Sequence, residues 1–247
     1  HLDLTRMAAK AGKPVYVEKP MARNFAECQE MIQICKTAGV PLYVAYYRRA
    51  LPHFLKIKSL LESGEIGNIR TVHIHMRQVL VPEIITHLEN NWRVNPEIAG
   101  GGYFYDLASH QLDLLDFFFG KITHASGYSA NQAGAYSAED IVVGSFVFES
   151  GVLGSGSWCF STNSVAETDE IVIDGDRGQI RFATFGKGEF QLLRDQEEPI
   201  HYQVELPKHI QQPLIHAIVD DLLGTGKSPS IGENGARANW VLEQLAH

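Results

Sequence analysis

Two groups of residues in this sequence have the types and spacing to do chemistry. The first is Glu18-Lys19-Pro20, directly after the β-branched and aromatic run Val15-Tyr16-Val17. Ligands in open α/β sheets bind outside the carboxyl ends of the strands. A lysine at such an end can reach a substrate oxygen or a cofactor ribose. Pro20 biases Lys19 toward extended backbone, which narrows where its amine can point. An exposed turn lysine would give the same three letters, so this motif is short evidence by itself.

The second group is Gly100-Gly101-Gly102-Tyr103-Phe104-Tyr105-Asp106, continued by Ala108-Ser109-His110 and Asp113. Three glycines let a backbone approach a ligand closely. Asp106, His110 and Asp113 are four and three residues apart, so on a helix they form one stripe. The rest of that helix is apolar: Phe104, Leu107, Leu112, Leu114, Leu115, Phe118 and Phe119. A helix apolar almost all round is buried, so its polar stripe must face partners or a cavity. The chemistry implied is proton transfer. Oxidising an alcohol by hydride transfer leaves a proton, and a histidine oriented by a carboxylate can accept it. A satisfied buried Asp–His hydrogen bond is the competing reading.

Three lesser candidates follow. Trp92-Arg93 lies just before the glycines, where Arg93 binds a substrate hydroxyl or carboxylate, or else makes a structural ion pair. His73 and His75 share one strand face, but no third metal ligand is evident, so no metal site is expected. No Gly-x-Ser-x-Gly elbow occurs, and no cysteine is paired with a base by motif.

The elements that position these groups begin with a helix over 1–10, with Gly12 as its C-cap. The strand Val15–Val17 comes next. Asn24 caps a second helix to Ala38, with Glu27 as capping-box partner, and Gly39 ends it before a strand over 42–46. This is the rhythm of a parallel α/β sheet. Two parallel strands cannot cover themselves, so further strands upstream of His1 are expected. After Tyr47 come a helix over 52–63, a strand over 69–81, a loop over 82–102 and the helix Tyr103–Phe119. Strand-like runs then recur to about Val204, with turns at Ser150-Gly151, Asp174-Gly175 and Gly186-Lys187-Gly188. Helices over 206–223 and 234–246 close the chain. The predicted fold class is α/β plus α+β: a remnant of a Rossmann parallel sheet, then a large, mainly antiparallel open sheet flanked by helices. The predicted division is 1–46 and 47–247, the last helix packing back on the first part.

Bulk properties narrow the function. The chain has 247 residues, 45% hydrophobic and 20% charged, which is ordinary globular composition. A net charge of −8, without a basic stripe, argues against nucleic acid. No apolar run reaches the ~20 residues a membrane span needs. Cys28, Cys35 and Cys159 are an odd set; the first two lie about two helical turns apart, too far to bridge. Free thiols and a cytoplasmic location are expected.

Taken together, the motifs resemble the glucose-fructose oxidoreductase / inositol dehydrogenase / rhizopine-catabolism (Gfo/Idh/MocA) family, almost end to end. The resemblance rests on Ala11 through Ala22, on Val44-Ala45-Tyr46-Tyr47-Arg48-Arg49 and on Ser63-Gly64-Glu65-Ile66-Gly67. It rests also on Trp92-Arg93, the Gly100 to Asp113 segment, and Gly175 and Gly178 with Ile180 and Phe182. It implies a sugar or polyol dehydrogenase using NAD or NADP. Lys19, Asp106 and His110 would be catalytic: His110 as acid/base, Asp106 as its partner, Lys19 positioning substrate and nicotinamide. Glu18, Lys19 and Pro20 would meet the cofactor, and Arg93, Trp92 and Tyr103 the substrate. A homodimer or homotetramer through the open sheet face is implied. An NAD-dependent glycosidase on the same fold, or a non-catalytic member, are the alternatives. No Gly-x-Gly-x-x-Gly occurs, so this chain alone is expected to bind nicotinamide cofactor weakly and to be inactive. Substrate choice is assigned to loops such as 81–99.

Overall fold

The fold comes from a computed structural model, which describes residues 1–80 and 91–246. It opens with α1 (Leu2–Lys10), β1 (Val15–Val17), α2 (Phe25–Ala38) and β2 (Leu42–Val44). Local chemistry explains the boundaries. After α1, Lys13 N–H donates to Ala8 O and Gly12 N–H to Ala9 O, with Gly12 left-handed one place beyond the cap at Ala11. Asn24 caps α2 by accepting from Glu27 N–H at 2.8 Å. The Glu27 carboxylate reaches back to Arg23 N–H, one residue short of the predicted capping-box partner. β1 and β2 pair in parallel, Val15 with Leu42 through Val17 with Val44.

The chain then leaves this layer. α3 (Pro52–Glu62) leads into β3 (Ile69–Arg77), and the short α4 (Pro96–Ala99) precedes α5 (Tyr103–Phe119). The segment predicted as one loop over 82–102 therefore holds a 3-10 turn, Trp92–Val94, and a helical turn begun by the Asn95 side chain and Pro96. Residues 81–90 lie outside the described residues. Seven further strands follow: β4 (Ile122–Ala130), β5 (Ile141–Phe148), β6 (Leu153–Cys159), β7 (Thr168–Gly175), β8 (Gly178–Phe182), β9 (Glu189–Arg194) and β10 (Ile200–Gln203). With β3 they form one eight-stranded sheet in the order β10-β9-β8-β7-β3-β6-β5-β4. Every neighbouring pair is antiparallel except β3 with β6.

α6 (Gln212–Leu223) and α7 (Gly232–Ala246) end the chain. α6 starts six residues later than predicted, because Pro213 belongs in a first turn and not inside a helix. α7 starts two residues earlier than predicted, and Asn234 sits inside its first turn, accepting from Ile231 N–H at 2.9 Å.

One face of the large sheet carries the main core. Val72, Ile74 and Met76 of β3 turn to it with Trp158, Phe146, Ile171, Ile173 and Ile180. α3, α5 and α7 add Phe54, Phe104, Leu115 and Leu242. The alternate residues of the strands form the open face, where Tyr128, Val143 and Leu153 are exposed. A second core joins α1, β1, α2 and β2 to Ala236 and Ala238 of α7. α7 thus belongs to both. Gly235 lets it sit against β2, since a Cβ there would lie 2.6 Å from a Val44 methyl.

The two cores are also fastened by charge. Arg49, in the 3-10 turn Tyr47–Ala50 that follows β2, is buried and ion-paired with Asp113 at 2.8 Å and Asp116 at 3.0 Å, both on α5. Arg237 of α7 reaches the same Asp116 at 3.2 Å. Removing one partner leaves a buried charge uncompensated, which costs more than replacing the pair. Asp113→Asn is expected to lower unfolding stability by about 3 kcal/mol in a urea titration. The double change Arg49→Met with Asp113→Leu should recover much of that loss.

Candidate active site

Lys19 follows β1 at the carboxyl end of the parallel pair, and its peptide with Pro20 is cis. Its ammonium crosses to α5. There Nζ donates to the Asp106 main-chain oxygen at 2.9 Å and to the Asp106 carboxylate. From Tyr103 to Asp116 every residue of α5 is buried except Asp106. That one half-open position is where the buried helix meets a cleft of about 410 Å³. Glu18, Lys19, Pro20, Trp92, Arg93 and Asp106 all line this cleft. Arg93 approaches the same carboxylate, Nε to Oδ2 at 3.4 Å, and its guanidinium lies 4.8 Å from the Trp92 ring centroid. Arg93 thus makes the ion pair and also lines the cleft.

His110 sits one turn further along α5, 4% exposed. Its ring packs edge-on against Tyr46, Tyr47 and Phe185 at centroid distances of 6.0, 5.6 and 5.8 Å. Burial pushes its pKa well below the usual imidazole value, and the nearby charges of Arg48 and Lys19 push the same way. The ring is therefore neutral at pH 7. It makes no hydrogen bond to Asp106, and Nδ1 is buried without a partner among the described residues. The carboxylate expected to orient His110 is instead given to Lys19 and Arg93. Helical spacing set both on one stripe, but a cation from another element reached Asp106 first. Burial also pulls the Lys19 pKa down, while Asp106 favours its charge.

Two other expectations are corrected. Like His110, Tyr103 is not among the described residues that line the cleft. Tyr103 is 2% exposed, accepts from Asn91 Nδ2 at 2.6 Å and packs against Tyr136 and Phe160. The glycines make room for protein, not for a ligand. A Cβ on Gly100, whose φ is +86°, would lie 2.2 Å from Arg23 O. One on Gly102 would lie 2.7 Å from the Ala138 methyl. Close approach was the right physics with the wrong partner. His73 donates to or accepts from Ser155 at 2.8 Å on the open face, remote from this cleft.

Residues 54–181 match the GFO/IDH/MocA C-terminal domain, and residues 1–46 match the oxidoreductase family with an NAD-binding Rossmann fold. This chain belongs to the GFO/IDH/MocA oxidoreductase family. A curated oxidoreductase of Formosa agariphila is 37% identical over 98% of this chain and 74% of its own length. The 1,5-anhydro-D-fructose reductase of Ensifer adhaerens is 27% identical over 98% of this chain and 71% of its own. The crystal structure of aldose-aldose oxidoreductase from Caulobacter crescentus, complexed with glycerol, superposes with a TM-score of 0.83. It shares 24% identity and covers 98% of this chain and 72% of that one, a likeness of fold. Among the described residues no helix is long and apolar enough to cross a membrane.

In this family member, several residues around the cleft carried no assigned role in the sequence. Arg48 and Arg49 were visible only as part of a motif, yet both are buried. Two arginines straight after a buried strand were the available signal, since unpaired charges are not buried idly. Asp169 lies on β7 and Thr184 and Phe185 just after β8, and no local pattern links them to His110. Gln111 accepts from the Trp158 indole at 2.7 Å and so locks α5 onto β6.

Stability should follow the buried histidines. His53 is pushed down to about 4 by burial and by Arg48, and His110 lies well below 6.5. Unfolded, each takes a proton near pH 6.5. Below that pH the unfolded state binds more protons, so stability is full above it and falls as pH drops toward the folded values. Thermal unfolding is expected to move down between pH 7 and pH 5, and His53→Phe should flatten that slope.

Proposed function

We propose that this chain carries the catalytic and substrate-binding part of an NAD(P)-dependent dehydrogenase or reductase acting on a hydroxyl or carbonyl of a sugar or polyol. One observation carries the reading. The Lys19 ammonium, at the end of the parallel pair, holds Asp106 on α5, and its charge acts on the buried His110 imidazole one turn along the same helix. The relatives named as a 1,5-anhydro-D-fructose reductase and an aldose-aldose oxidoreductase support a sugar-like substrate.

The cleft fits the nicotinamide end of a dinucleotide. Its floor is a largely buried ammonium at a parallel strand's carboxyl end, and Arg93 Nη1 is buried without a partner among the described residues. Glu18, Lys19 and Pro20 would hold that end. Bound nicotinamide supplies or accepts the hydride. The protein's own residues do the rest. Asp106 holds the Lys19 ammonium in place, so that it can donate to the substrate oxygen. Neutral His110 accepts the hydroxyl proton on oxidation and returns it on reduction. Lys19 and Arg48 both depress His110; an oxyanion developing between them acts in the opposite sense. Trp92 and Arg93 offer a ring face and donors to a sugar. Tyr103 supports this wall through Asn91.

Residues 1–46 are read as part of a dinucleotide-binding domain and 47–247 as a substrate-binding and assembly domain, with α7 returning to the first. The exposed apolar residues on the open sheet face favour a homodimer or homotetramer through that face. The choice between NAD and NADP is not encoded in the cleft.

Two tests follow. Steady-state turnover in the gene product, with any residues encoded ahead of His1 included, should fall by about 10²- to 10⁴-fold in His110→Asn. Lys19→Met should fall comparably, and unchanged rates in both would defeat the assignment. Calorimetric titration of residues 1–247 alone should show weak NADH binding, since no Gly-x-Gly-x-x-Gly is present to hold the pyrophosphate.

A further inference from the structure

Arg48 is the buried charge that the proton-transfer scheme does not use. Its residue is 5% exposed. Nε donates to Thr184 O at 3.1 Å. The guanidinium is held between two rings, 4.8 Å from the Tyr47 centroid and 4.4 Å from the Phe185 centroid. Tyr47 also offers it a phenolic acceptor. Those same rings pack on His110, so cation and imidazole share one aromatic enclosure. Nη1 is buried with no hydrogen-bond partner among the described residues. Arg49, its neighbour in sequence, shows the contrast: two carboxylates satisfy it.

A guanidinium cannot shed its charge to escape burial. Its surroundings do not neutralise it either. Among the described residues, the largely buried charged groups around Lys19 and His110 are three cations, Lys19, Arg48 and Arg93, against two carboxylates, Asp106 and Asp169, while Glu18 lines the cleft as an exposed carboxylate. Asp106 is taken by Lys19 and Arg93. Asp169 accepts from Phe185 N–H at 2.6 Å and from Gln111 at 3.4 Å. Among these buried groups one positive charge is left over, and two guanidinium nitrogens, Nη1 of Arg48 and Nη1 of Arg93, have no partner among the described residues.

Building on the sugar-oxidoreductase reading, we infer that the substrate carries a carboxylate, which the buried, unpartnered Nη1 of Arg48 binds. A carboxylate brings one negative charge, matching the surplus, and two oxygens in a plane suited to a guanidinium fork. A phosphate monoester brings −1.5 to −2 charges at pH 7 and would overshoot it. The substrate class is therefore a sugar acid, with a hydroxyl or carbonyl carbon presented to Lys19 and His110 while the acid group lies against Arg48. Tyr47 and Phe185 wall that group from water, which strengthens the pairing.

The test is binding, followed by calorimetry and by the fluorescence of Trp92, which lines the cleft half-exposed. The probes are D-glucuronate and D-galacturonate against D-glucose and D-galactose, on the intact chain. At least one uronate should bind about 10- to 100-fold more tightly than its matching aldose, the range expected of a charge-assisted hydrogen bond. Arg48→Met should bring that ratio close to one. Arg48→Lys, which keeps the charge without the fork, should retain a few-fold preference; it carries the test if the methionine variant does not fold. A wild-type ratio near one, no uronate binding, or an Arg48→Met variant with the preference intact would overturn the inference. Uronate preference together with no turnover of any sugar would remove the oxidoreductase reading and leave the anion site standing.

Discussion

The contact between the Lys19 ammonium and the Asp106 carboxylate is the constraint on which the site depends. It joins the end of a short parallel strand to the first turn of a helix 87 residues later. Neither core makes a site alone. The small parallel pair supplies the amine, and α5, packed on the large sheet, supplies the carboxylate and the buried imidazole. The ion pair sets the distance between them. It is largely buried, so its attraction is weakly screened, and geometry counts for more than it would on the surface.

Such a contact holds only if the two layers are rigidly mated, and three features mate them. α7 contributes to both cores. Arg49 pins the chain after β2 to α5 through Asp113 and Asp116. The Gly100 turn lets the start of α5 lie against the backbone of Arg23, three residues beyond the cis Lys19–Pro20 peptide. Each acts close to one end of the Lys19–Asp106 bridge. Rigidity matters because hydrogen-bond donors assist a reaction chiefly when held where charge will develop.

Much of this could be read from residue order. α5 was fully legible: an unbroken apolar periodicity with a polar stripe, closed by Gly120, can bury itself in only one way. The strand-rich region was legible too, because its alternation gave each strand's covered face. Lys19 at a strand end pointed to a site without saying what it would touch. Contacts between distant segments were not legible. Asp106 and His110 share a stripe, but sequence spacing cannot tell that Lys19 and Arg93 occupy the carboxylate. Tyr103, about 60° round the helix from Asp106, looked equally available and faces the core instead. The glycines encode closeness without naming the neighbour. Pro213 is a local signal for the start of α6, whereas the buried status of Arg48 depends on the whole fold.

The most direct measurement is a crystal structure of the gene product with nicotinamide cofactor and substrate bound. The account predicts Lys19 Nζ and a His110 ring nitrogen both at about 2.6–3.2 Å from the substrate oxygen that gains or loses the proton, with Asp106 still on the ammonium. A substrate seated away from α5, or Lys19 and His110 directed to opposite sides of it, would contradict the account.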